Sequence, residues 1–140
     1  MAVQLRLTVQ GGDFTNAGFA SSQVKKILKQ LNIDNKIIKR VAISLYEAEV
    51  NIVAHAWNGT VTVDIDEDRI RLFLSDRGPG IADIELAMKE GYSTASPVVR
   101  EMGFGAGMGL SNIKKNSDEL TITSDVNQGT EVEIIHYLHA

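Results

Sequence analysis

The chain has 140 residues, 14 basic and 18 acidic side chains, a formal net charge of −4 and an apolar share of 44%. That length fits one domain of ordinary size, about 100–150 residues, and that apolar share excludes a disordered polymer. The acidic balance argues against a nucleic-acid-binding module, and the lack of cysteine excludes disulfides, thiolate metal sites and cysteine nucleophiles.

Three histidines occur, His55, His136 and His139, two of them at the extreme C-terminus, so no zinc cluster is expected. Met1–Arg6 has no apolar core of signal-peptide length, and no apolar run approaches the roughly 20 residues of a membrane span. The expectation is a cytoplasmic protein with no membrane partner and no direct nucleic-acid partner. Basic residues cluster locally at Lys25, Lys26, Lys29, Lys36, Lys39 and Arg40. That cluster reads either as a solvated helical face or as a docking face for an acidic partner protein.

Gln4 to Val9 alternates polar and apolar residues, as a half-buried strand does. Gly11-Gly12-Asp13 breaks it. From about Asn16 to Leu31 the positions Phe19, Val24, Ile27, Leu28 and Leu31 are expected to form one helical face. Asp34 is the expected N-cap of a central helix from about Asn35 to Trp57. Its apolar residues Ile37, Ile38, Val41, Leu45, Ala48, Ile52 and Ala56 recur at spacings of three and four.

Asn58-Gly59 reads as the turn that ends this helix. Thr60–Ile65 and Ile70–Leu74 read as a hairpin turned at Glu67-Asp68. Residues 77 to about 108 are rich in glycine and hold both prolines, so they read mostly as loop, with a short helix from Ile84 to Lys89. A loop that long in a compact domain is usually functional. A short helix is expected from Leu110 to about Ser117. Two last strands, Leu120–Ser124 and Glu131–Ile135, are joined across Asn127-Gln128-Gly129. The expected fold class is α/β (α+β): a two-layer sandwich of one mixed, mostly antiparallel sheet with helices on one face.

Three motifs carry chemistry. Glu47, Asn51 and His55 are four apart, so they drift slowly around one helix face beside the apolar stripe. A carboxylate there can take a proton from an attacking hydroxyl or water. One amide oxygen plus nucleotide phosphates is a normal share of a magnesium shell. Taken alone, the same pair also describes the solvated edge of a helix.

Asp76 stands at a strand end before Gly78-Pro79-Gly80. Its carboxylate can accept a hydrogen bond from the exocyclic amine of adenine, while Gly78 and Gly80 let the backbone approach the ring. An ordinary turn with a surface acid has the same sequence. Gly103, Gly105, Gly107 and Gly109 alternate with Phe104, Ala106 and Met108 and open into the helix at Leu110. Successive glycine N–H groups and a helix N-terminus suit a phosphate. No G-K-[ST] follows, so this is not a P-loop.

These motifs, in this order, resemble the N, G1 and G2 boxes of the GHKL ATPase superfamily, and Gly129-Thr130 matches its final Gly-Thr. Ser44–Ala56, Glu90–Thr94 and Met102–Leu110 resemble the anti-sigma-factor serine/threonine kinases within it. The resemblance covers nearly the whole chain. It implies a Bergerat-type ATP-binding fold over residues 1–140, with ATP and Mg2+ as ligands and an ATP lid at about residues 81–102. It makes Glu47 the general base and Asn51 the magnesium ligand. Asp76 would bind adenine, with Gly78, Gly80 and Thr130 near it. Gly103, Gly105, Gly107, Met108, Gly109 and Leu110 would close on the phosphates. His55 would orient neighbours or cap the helix end.

The implied activity is phosphorylation of a small anti-sigma-factor antagonist protein, and through it control of sigma-factor-dependent transcription. The partner is then that antagonist, a sigma factor, or both, and β-edge pairing of Gln4–Val9 would make a homodimer. Two alternatives stay open: an ATP-binding module that sequesters a sigma factor without catalysis, and a detached histidine-kinase catalytic domain or ATP hydrolase.

Overall fold

The computed structural model describes residues 2–89 and 109–139. Strand β1 (Val3–Gln10) is followed by a 3-10 turn (Phe14–Asn16), helix α1 (Phe19–Gln30) and helix α2 (Asn35–His55). Strands β2 (Asn58–Ile65) and β3 (Arg69–Arg77) come next, then the short helices α3 (Ile84–Ala87) and α4 (Gly109–Lys115). Strands β4 (Glu119–Asp125) and β5 (Gly129–Tyr137) complete the chain. The five strands form one sheet in the order β1-β2-β3-β5-β4, with every pairing antiparallel. The two-layer class expected from the sequence is the one found.

Period-two alternation decides which side of the sheet is wet. Val61, Val63, Ile65, Ile70, Leu72, Leu74 and Ile134 are all buried on the helix side. The register sets Val63 opposite Leu72 and Leu72 opposite Ile134, so the apolar rows coincide across three strands. The other face is polar. Arg71 links Glu133 (2.7 Å) to Asp64 (3.4 Å), Gln4 donates to Asp64 (2.8 Å), and the Arg71 guanidinium lies over the Phe73 ring. Among the described residues no helix is long and apolar enough to cross a membrane.

Helix α2 crosses the middle of the sheet. Asp34 caps it by accepting from Lys36 N at 2.8 Å. Ile38, Val41, Leu45, Ala48 and Ile52 supply its buried stripe. Glu49 also lies on that stripe and is 2% exposed. Its carboxylate accepts from the backbone N–H groups of Gly18, Ala20 and Ser21, each at 3.0 Å. These are orphan donors of the first turn of α1, so one acid on α2 caps the neighbouring helix.

Several boundaries differ from the sequence expectation. Phe19 is 55% exposed rather than on the core face. It stands five residues before Val24, about 140° around a helix of 3.6 residues per turn. Helix α2 ends at His55, and Trp57 is exposed beyond it. Asn58-Gly59 is not a turn but the start of β2, paired with Arg77 and Asp76. The glycine is needed for packing: a Cβ on Gly59 would stand 3.0 Å from Ile52 Cδ1 and 3.1 Å from the Ser75 carbonyl. Strand β3 runs on to Arg77, so Asp76 sits inside its last turn of pleat.

A second buried polar contact joins α2 to β5. Ser44 Oγ donates to the Val41 carbonyl (3.1 Å) and lies 2.9 Å from His136 Nε2, both residues being buried. With the hydroxyl proton so used, Nε2 is the donor of a neutral ring. His136 Nδ1 has no hydrogen-bond partner among the described residues. Burial, helped by nearby Arg40 and opposed by Asp118, pushes the His136 pKa down to about 4.

Two stability predictions follow from these buried groups. Glu49→Ala leaves three helix donors without their acceptor and should lower the unfolding free energy by about 3 kcal/mol in urea titration. A change under about 1 kcal/mol would mean that α1 is held by apolar packing alone. The unfolded chain takes up a proton at His136 near the ordinary imidazole pKa, whereas the folded chain resists it until about pH 4. Stability should therefore fall as pH drops through that window, by an amount of about 3 kcal/mol that is absent in His136→Leu. Parallel pH profiles for the two proteins would rule this out.

Candidate nucleotide site

Glu47, Asn51 and His55 lie half-buried along one side of α2, as their spacing requires. Helix α4 starts against them. A Cβ placed on Gly109 would stand 3.1 Å from Asn51 Oδ1, 3.4 Å from Asn51 Nδ2 and 3.5 Å from Glu47 Oε2. The glycine therefore lets the N-terminal end of α4 meet both polar side chains at van der Waals distance. Asn112, one turn further, points its amide Nδ2 at Glu47 Oε1 at 3.4 Å. Leu110, Ser111 and Ile113 are buried and anchor α4 on the core side. Asn112 is a site neighbour that the motif reading missed. The signal was its place three residues after Gly109, on the same side of α4.

Asp76 is reached from the other direction, on β3. Its Oδ1 accepts from Thr130 N at 3.1 Å. Partial burial raises its pKa, and the Thr130 N–H bond opposes the rise. The carboxylate thus keeps a second oxygen for another donor. Thr130 is buried on β5, and its hydroxyl is 2.9 Å from Ser124 Oγ. Ser124 Oγ also accepts from Ile81 N at 2.7 Å. This ties the chain just past Gly80 to β4.

The glycines expected here serve close contacts. Gly129 has no room for a side chain, because a Cβ would run into the Asp76 carbonyl. That contact lets β5 bring Thr130 N to the Asp76 carboxylate. Gly80 takes a left-handed backbone (φ 75°), and a Cβ there would collide with the Asp125 carbonyl. Gly78 is buried with a Cβ position 2.9 Å from Ala56 Cα, so it packs the strand end on the α2 exit. His55 is half-buried, and burial lowers its pKa, which favours the neutral ring.

Gly103, Gly105, Gly107 and Met108 lie outside the described residues, as does the lid from 90 onward. The described part of the lid is Ile81–Lys89. It contains α3, capped by Asp83 accepting from Leu86 N at 3.1 Å. A cavity of about 360 Å³ lies between α3, α4 and β4, lined by Ile84, Met88, Lys114, Leu120 and Ile122 among others. None of Glu47, Asn51, Asp76 or Thr130 borders it.

The described residues hold no group of three or more His, Cys, Asp or Glu side chains suited to a metal. A cation here would need oxygens from a bound ligand besides Asn51. The arrangement brings a carboxylate (Glu47), an amide oxygen (Asn51) and a helix start into one patch, with a second, half-buried carboxylate (Asp76) on the sheet. That combination suits a nucleotide triphosphate.

Serine/threonine-protein kinase RsbT of Bacillus subtilis is 29% identical over 118 residues, covering 81% of this chain and 83% of its own length. An anti-sigma F factor of Pasteuria penetrans is 30% identical over 132 residues, covering 89% of this chain and 85% of its own. A crystal structure of the RsbU and RsbW domains of Rv1364c from Mycobacterium tuberculosis shares the fold. Its TM-score is 0.64 at 15% identity over 96% of this chain, which spans about a third (32%) of that longer protein. The model of the histidine kinase-like ATPase domain matches residues 14–136. With that match running from just before α1 through α2, β2, β3, α4 and β4 into β5, the chain belongs to the histidine kinase-like ATPase domain family, whose nucleotide is ATP.

Proposed function

We propose that this chain is an ATP-dependent protein serine/threonine kinase of the anti-sigma-factor type, acting on a small anti-sigma-factor antagonist protein. The observation that carries the reading is the meeting of Glu47 and Asn51 on α2 with Gly109 and Asn112 at the start of α4. Phosphoryl transfer asks for positioning and charge stabilisation more than for covalent chemistry. Glu47 accepts the proton of the substrate hydroxyl as its oxygen bonds to the γ-phosphorus and the bond to the bridging oxygen breaks, releasing ADP. Asn112 holds one Glu47 oxygen, which orients the other.

Asn51 would hold Mg2+ together with phosphate oxygens, and the ion would neutralise phosphate charge there. Asp76 accepts from the adenine amine with the oxygen that Thr130 N leaves free. Gly78 and Gly80 keep the adjoining backbone tight. The start of α4 at Gly109-Leu110 contacts the phosphates, a role extended to Gly103, Gly105, Gly107 and Met108 by the glycine motif alone. The segment at about 81–102 acts as the lid.

The anti-sigma F factor relatives favour a companion role, in which the ATP-bound chain also sequesters a sigma factor and so controls transcription. Strand β1 pairs only with β2 among the described residues, and its outer edge suits pairing with a second copy in a homodimer. Cytoplasmic placement accords with these partners.

Two measurements test the site. Glu47→Gln should keep ATP affinity in isothermal titration and lower phosphate transfer to a serine of the antagonist by at least about a hundredfold. Loss of binding and transfer together would overturn the role given to Glu47. Asp76→Asn should weaken ATP binding by about tenfold to a hundredfold and reduce the preference over GTP. Because burial raises the Asp76 pKa, wild-type affinity should fall with acidification from above the ordinary carboxylate range. The Asn variant should lack that dependence, and an unchanged ATP:GTP ratio would count against adenine recognition by this acid.

A further inference from the structure

Residues 25–40 hold six of the chain's fourteen basic residues and only one of its eighteen acids. They comprise the C-terminal part of α1, the short connection from Leu31 to Asp34 and the first turns of α2. Lys25, Lys26 and Lys29 are exposed, and Lys29 stands four residues from Lys25 and three from Lys26, so they share the solvent side of α1. Lys36 and Lys39 are exposed and three apart on α2. The opposite faces are committed to the core through Val24, Leu28, Ile38 and Val41. The connection is so short that the two lysine groups sit on adjoining helix ends.

These lysines are not used by the fold. The ion pairs among the described residues, Arg40–Asp118, Arg71–Asp64 and Arg71–Glu133, all employ arginine. None of the five lysines pairs with an acid there. Asp34, the one acid within residues 25–40, spends its carboxylate on Lys36 N, and Asp118 pairs with Arg40. Within the first turn of α2 no acid stands beside Lys36, so only the Asp34 cap offsets its charge locally. Like charges at these spacings repel weakly, and an anionic partner would offset that repulsion.

We propose that this end of the α1–α2 pair is a docking surface for an acidic, amphipathic segment of a partner protein. Charge complementarity supplies the attraction, and half-buried Ile33 and Ile37 lie among the lysines to receive apolar side chains. Residues 25–40 include no aromatic ring on which a nucleic-acid base could stack. The other seventeen acids against eight bases also repel a long polyanion running past the patch. Lys39 lies eight residues before Glu47, about 12 Å of helix rise. A segment docked here leaves Glu47 approachable. The surface stands apart from the kinase reading and survives its failure.

Fluorescence anisotropy tests this with a labelled Glu- and Leu-rich peptide of about three helical turns. The comparison probes are a short DNA duplex and vesicles of phosphatidylserine in phosphatidylcholine. The wild-type chain should bind the peptide with an affinity that falls as salt rises. The triple variant Lys25→Glu, Lys29→Glu, Lys36→Glu should lose at least about tenfold while keeping its thermal midpoint and its ATP affinity. If the triple variant fails to fold, the three Lys→Gln changes should show the same direction of loss. Absent peptide binding, equal binding by the variants, or duplex or vesicle binding as tight as the peptide's would each overturn the proposal.

Discussion

Three N–H groups at the start of α1 converge on the buried carboxylate of Glu49, and the helical layer takes its geometry from that point. Removing a carboxylate from water costs several kcal/mol. Three charge-assisted bonds and the positive end of the α1 dipole offset that cost. Because the bonds are short and directional, α1 cannot slide along α2 without stranding the charge. Rotation of α2 about its own axis is restrained for the same reason. Glu47 and Asn51 each lie two positions from Glu49, so the anchor that turns Glu49 inward also turns them toward α4.

The site is thereby a product of packing between elements far apart in the chain. Helix α2 brings the Glu47 carboxylate and the Asn51 amide. Strand β3 brings Asp76, and α4 and β5 are drawn in where two glycines leave no side chain between the partners. At Gly109 the missing Cβ spares the α4 start a tight, 3.1 Å approach to Asn51 Oδ1. At Gly129 it allows β5 to lie against the Asp76 carbonyl and aim Thr130 N at the carboxylate. Backbone contact is more rigid than contact between long side chains, which suits a site that must hold phosphates and a base in fixed relation.

The legible features were those with a local cause. Alternation exposed the strands because one face of the sheet is wet. Asp34 was readable as a cap because its side chain serves the next backbone N–H groups. The misread features had distant causes. Asn58-Gly59 has the composition of a turn, yet Ile52 and Ser75 press on the glycine from another helix and strand. Phe19 looked apolar enough for the core, but the inward direction of α1 is set by Val24 and Leu28. Glu49 carried a signal that went unused. It falls four residues after Leu45, on the apolar stripe, where a carboxylate must find donors.

By itself the sequence determined the two-layer α/β architecture, membership of the ATPase family and most of the split between core and solvent faces. Each of these follows from periodicity or from the intrinsic chemistry of short segments. Only the tertiary structure decided that Glu49 is an anchor while Glu47 faces the site, that Asn112 reaches Glu47, and that Thr130 N engages Asp76. Those outcomes depend on which atoms meet across helices and strands many residues apart. Such distances are set by the packing of the whole core and leave no local pattern in the chain.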